Sequence, residues 1–224
     1  MAQEWKEKIK VCVIFDDQAA LPLTVSDQLR ILAKQPLFQS ITIGQAFGGT
    51  YESINLQTAL QFATQELRSD LIVISVGPGV VGTGTAFGFS GISLANWANV
   101  VGALKGIPIW VPRLSFADQR KRHQGLSHHT KTALFQFTYA SSVLPLPYLH
   151  KEQKALIQKQ LELSDSLEKH QVRWAEVDMC TVQLERALVN SSLAIETMGR
   201  NYSDDPVFFQ GVAEATRTAL FDFN

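Results

Sequence analysis

Six short runs rich in β-branched and other apolar residues recur along this chain, at residues 8–15 (KIKVCVIF), 40–43, 71–76 (LIVISV), 108–111, 143–146 and 171–174. Between them lie segments with helical spacing. Leu21, Val25, Leu29 and Leu32 follow the first run, Leu56, Leu60, Ala63 and Leu67 follow a potential Asn55 cap, and Leu94, Trp97, Val101 and Leu104 follow the third run. Strands separated by helices of this length cannot pair as hairpins, so they pair in parallel through right-handed crossovers. The pattern therefore predicts an α/β fold: three layers, αβα, around a mainly parallel, doubly wound, Rossmann-like sheet of about six strands. With 224 residues, 46% of them hydrophobic, and no internal repeat or linker, residues 1–224 read as a single domain.

Later helix signals are local. Ser127 caps a helix expected to run to about Tyr139, residues 149–163 form another, a long helix starts near Asp178, and Asp205-Pro206 supplies a cap and a first-turn proline. Gly199, in Thr197-Met198-Gly199-Arg200, is expected to end a helix.

Charge and cysteine content narrow the functional classes. A formal net charge of −1 argues against a general nucleic-acid binder, so any anion binding is local. Cys12 and Cys180 read as reduced core residues rather than a disulfide framework. No run is long enough to span a bilayer and the N-terminus lacks a signal-peptide core, so the expected location is cytoplasmic, without a membrane partner.

Four loops rich in glycine or charge directly follow strands: Asp16-Asp17, residues 44–49, residues 77–91 and residues 113–129. In a parallel sheet such loops gather at the carboxyl edge, where open α/β sheets bind ligands. Residues 113–129 hold Arg113, Asp118, Arg120, Lys121, Arg122, His123, Ser127, His128 and His129. The expected ligand-binding set is Gly48, Gly49, Gly79, Gly82, Thr83, Gly84, Thr85, Arg113, Arg120, Arg122 and Ser127. His123, His128, His129, Asp118 and Asp16 are the catalytic candidates. Ser127 as cap puts His128 and His129 in the first helical turn, which disfavours protonated imidazole and predicts neutral rings.

Familiar cofactor motifs do not fit. Gly77-x-Gly79-x-x-Gly82 resembles a dinucleotide fingerprint only superficially, because further glycines keep the chain irregular and no acidic residue follows at ribose distance. The loop lacks a phosphate-loop lysine, and Ser90 lacks the glycine of a nucleophile elbow. A metal site would use His123, His128 or His129 with Asp118, Asp16 or Asp17, a donor set suited to zinc, manganese or iron, but adjacent histidines on a helix point about 100° apart and nearby cations oppose a metal, so no metal ligand is assigned and the cofactor is left unknown.

The strings FDDQAALPLTVSD, TIGQAFGGTYESIN, VGPGVVGTGTAFGFSG, PRLSFADQRKRHQGLSHHT and ETMGRNYSDDPVFF together resemble an uncharacterised bacterial family, domain of unknown function three-eight-six-six, over most of the chain. That resemblance implies a β-rich N-terminal region before the matching part, which would make this chain a fragment or shorter form. Asp17 stands where the family resemblance implies glycine. No catalytic role comes with the match.

Three readings follow: an enzyme acting on a small phosphate- or carboxylate-bearing metabolite, a non-catalytic sensor or scaffold binding such an anion through the same loops, or loops that form a homo-oligomer interface.

Overall fold

A computed structural model of the chain describes residues 9–17, 22–77, 79–164 and 167–223. Its backbone divides into two compact units, residues 1–82 and 83–224. Among the described residues the fold is mixed α/β, with eight short strands and seven α-helices.

The first unit is a four-stranded, wholly parallel sheet in the order β3-β2-β1-β4, formed by β1 (Val11–Asp17), β2 (Phe38–Gly44), β3 (Tyr51–Glu52) and β4 (Leu71–Val76). Central β1 buries Cys12, Val13 and Ile14. Its register sets Asp16 beside both Ile43 and Val76, so the loops leaving β1, β2 and β4 depart from one edge, as a parallel sheet requires. Helix α1 (Asp27–Leu32) begins at Ser26, whose hydroxyl accepts from Leu29 N; Leu21, expected to join its apolar face, lies outside the described residues. Asn55 caps α2 (Leu56–Gln65) by accepting from Thr58 N, and Leu56, Ala59, Leu60 and Ala63 are buried along it.

The second unit contains α3 (Ser93–Ala103), a two-residue antiparallel pair of β5 (Leu114–Ser115) and β6 (Gly125–Leu126), and α4 (His128–Lys131). Then come β7 (Val143–Leu146), α5 (Lys151–Glu162), β8 (Gln171–Trp174), α6 (Thr181–Val189) and α7 (Pro206–Phe221). Its core gathers Trp110, Leu114, Leu126, Leu134, Leu144, Leu146, Ile157 and Val207. Cys12 and Cys180 are buried free thiols; burial pushes Cys12 up to about 11, and burial together with the Glu214 charge pushes Cys180 up to about 12, so neither ionises near neutrality.

Three expectations need correction. The six-stranded Rossmann-like sheet is replaced by a four-stranded sheet in the first unit and two two-stranded sheets in the second. The strand expected at 108–111 shrinks to a single parallel bridge from Ile109 to Val143, because Pro108 and Pro112 on either side carry no N–H to extend a ladder. The helix expected to run from Ser127 to Tyr139 is α-helical only to Lys131 and then widens into a π-turn over Thr132–Gln136. Thr138 Oγ1 donates to Ala133 O, and Asn99 Oδ1 accepts from Tyr139 N and Ala140 N, which stops the helix.

Candidate functional site

The sequence-predicted residues divide between the units. Asp16, Gly48, Gly49, Gly79 and Gly82 belong to the first, and the remainder to the second. Gly48 N donates to Glu52 Oε1 on β3 (2.8 Å) and Gly49 N to Thr42 Oγ1 on β2 (3.1 Å), so the two amides tie the loop to its flanking strands. Gly79 has a left-handed φ of 90°, and Gly82 is exposed.

In the second unit, the glycine-rich loop closes on itself. Thr83 N donates to Gly88 O (2.7 Å), the Thr83 and Thr85 hydroxyls lie 3.0 Å apart, and Gly88 N donates to Thr85 Oγ1. Gly84 turns the chain at a φ of 80°. This folded turn delivers the next residue, buried Phe89, to the histidines: its ring stacks on His129 (centroids 4.6 Å, planes 15° apart) and meets His128 edge-on at 5.4 Å.

Ser127 organises the cluster. Fully buried, it accepts from His129 N and lies 2.8 Å from Nδ1 of His123, which is itself buried at the end of the short turn Lys121–His123. Ring centroids of His123, His128 and His129 are 4.3 to 4.9 Å apart, and one ligating atom from each lies within 4.8 Å of the others. The expectation that successive helical histidines diverge is thus corrected: the Cβ directions do diverge, but the imidazoles lean together, His129 held by Phe89 and His123 arriving from the preceding turn.

Burial, together with the Arg120 and His128 charges, pulls His123 down to about 4; burial with the His128 and His123 charges pulls His129 down to about 4. His128 is lowered by burial and Arg122. The rings are therefore neutral near neutral pH, as expected, though desolvation rather than the helix dipole is the main cause.

The arginines are not equivalent. Arg120 is committed to Asp118, with Nε on Oδ1 (3.0 Å) and an NH2 group on Oδ2 (2.8 Å), while Arg200 approaches the same carboxylate at 3.6 Å. Asp118 is only 4% exposed, and the hydrogen bonds and charge of Arg120 hold its carboxyl far below the usual carboxylate range, against the opposing effect of burial. Arg113 donates to Thr197 Oγ1 (2.7 Å) and lies over the Phe208 ring. Arg122 is exposed, makes no ion pair among the described residues, and its charge acts on all three histidines.

Sequence reasoning missed two contributors. Buried Asp205, placed as a helix cap, instead accepts from Ser115 Oγ (2.6 Å) and pairs with Arg200 (3.3 Å). Residues 197–200 form a tight reverse turn, with Met198 and Gly199 both at positive φ and Thr197 and Arg200 exchanging backbone bonds; Gly199 therefore turns a hairpin rather than ending a helix. That turn aims Arg200 at Asp118 and Asp205. Gln160 on α5 also went unnoticed: it accepts from Leu126 N and donates to Gln124 O, fixing the strand just before Ser127.

The chain is thus an α/β protein whose second unit assembles a histidine cluster braced by an arginine–aspartate network. A family model described as Protein of unknown function (DUF3866) matches residues 1–216, and the chain belongs to that family. No curated protein and no solved structure matches it. Among the described residues, no helix is long and apolar enough to cross a membrane.

Proposed function

We propose that the histidine–arginine cluster of the second unit binds a small anion bearing a phosphate or carboxylate group. The observation that carries this reading is Arg122: it alone among the four arginines of the cluster pairs with no acidic or hydroxyl partner among the described residues, and its charge reaches three neutral imidazoles able to donate hydrogen bonds. Arg113, Arg120 and Arg200 each already hold a partner within the chain, Thr197, Asp118 and Asp205 respectively.

Binding without conversion is favoured over acid–base catalysis by the titration of the histidines. A general base works best with a pKa near the operating pH, and His123 and His129 sit at about 4. Calorimetric titration of the full chain with inorganic phosphate, and separately with a simple carboxylate, tests the reading. Arg122→Ala should weaken the preferred anion about tenfold, the loss of one charge-assisted contact, and equal affinity in the two proteins would reject the assignment. Turnover that is abolished in His128→Ala and His129→Ala variants would instead reinstate the catalytic alternative.

A further inference from the structure

We infer that His123, His128 and His129 together form a binding site for a divalent transition-metal ion, with zinc the best chemical match and one coordination position left open. The site stands on its own geometry. Its consequence for the ligand, an anion oxygen at the open position beside Arg122, rests on the reading in the preceding section.

Three imidazoles are a donor set suited to zinc, cobalt, nickel or copper and poorly suited to magnesium or calcium, which require oxygen. Bonds of about 2.0–2.1 Å to a tetrahedral ion would set the nitrogens about 3.3 Å apart. Here one nitrogen from each ring already lies within 4.8 Å of the others, so small side-chain rotations complete the site with no change of backbone. The rings come from two short turns joined by only four residues, which keeps that spacing fixed.

Two further features point to an ion rather than to packing alone. His128 Nε2 is buried and has no hydrogen-bond partner among the described residues, a cost that coordination would remove. Ser127 Oγ sits 2.8 Å from His123 Nδ1, the arrangement by which a second partner fixes the tautomer of a ligating histidine and leaves Nε2 for the ion. Phe89 adds a wall against His129 that restrains its ring.

The three neutral ligands leave the ion's double charge uncompensated, and the nearby Arg122 adds to it. Such a site favours an anionic fourth ligand, whereas a site closed by a fourth protein donor would not.

The test uses the full chain, stripped with a chelator and titrated with Co²⁺ alone. A three-nitrogen, low-coordinate site gives intense visible ligand-field bands at one ion per chain, displaced by equimolar Zn²⁺. His128→Ala and His129→Ala should abolish the bands, and Ser127→Ala should weaken binding about tenfold. No bands in the wild-type chain, which requires no variant to fold, would overturn the inference. So would Co²⁺ binding that survives removal of two of the three histidines. If the bands appear and phosphate then fails to perturb them, the metal site stands and the anion reading falls.

Discussion

Desolvation at His123 and His129 links these two residues to stability. Each has a folded pKa near 4 against an ordinary value of about 6.5, so the unfolded chain takes up protons first as the pH falls. The stability they contribute is complete above about pH 6.5 and is lost progressively toward pH 4. Metal-free protein should therefore melt at lower temperatures across this window, and His129→Gln should flatten the dependence; circular dichroism melts at half-unit steps of pH check this. Neutral rings at His128 and His129 were expected from their place in the first turn after the Ser127 cap, whereas burial, the larger cause, and the inclusion of His123 were not legible in the sequence. Nor was the convergence of the three rings, since it depends on side-chain torsions and on Phe89, which sits 34 and more residues upstream of all three. The role of Arg120 was likewise hidden. A cation two residues from an aspartate can face it or face solvent, and only the irregular backbone from residue 118 to 120 turns it inward onto Asp118.

Elements whose signals are local came out as the sequence indicated. Asn55 caps α2, Ser127 caps α4, Pro206 opens α7, and five of the six apolar runs hold strands in parallel pairing, the run at 108–111 keeping only one parallel bridge. What the runs could not convey was how many sheets they make, because partner choice depends on non-local hydrogen bonding that prolines at 108 and 112 interrupt. The π-turn after Lys131 was equally invisible, being fixed by Asn99 from another helix. Glycine carries a mixed message: Gly48 and Gly49 after β2 read as ligand-binding residues, and a Cβ on Gly49 would stand 2.8 Å from Tyr51 O and 2.9 Å from Thr42 N, both backbone atoms. Gly49 is needed so that this loop can fold back on β2. Gly49→Ala should cost roughly 1–3 kcal/mol, as overpacking against unyielding backbone does, read from urea unfolding, and a neutral substitution would reject this steric account of the glycine.

At the scale of the whole molecule, charge decides which anions can compete for the cluster. Twenty Lys and Arg residues against 21 Asp and Glu leave a formal charge of −1, and three of the four arginines near the histidines are neutralised or shielded within the fold. Among these arginines Arg122 is left to attract an anion, alongside Lys131 and whatever ion the imidazoles hold. A protein neutralising six to ten phosphates loses about 10³- to 10⁵-fold in affinity between 50 and 200 mM salt, whereas one exposed guanidinium predicts a loss of about fourfold. Phosphate affinity measured at those two salt concentrations should fall by no more than the smaller factor, and duplex DNA should fail to displace phosphate at 0.15 M salt. A steep salt dependence, or displacement by DNA at micromolar concentration, would mean that a basic surface larger than this single arginine governs the site.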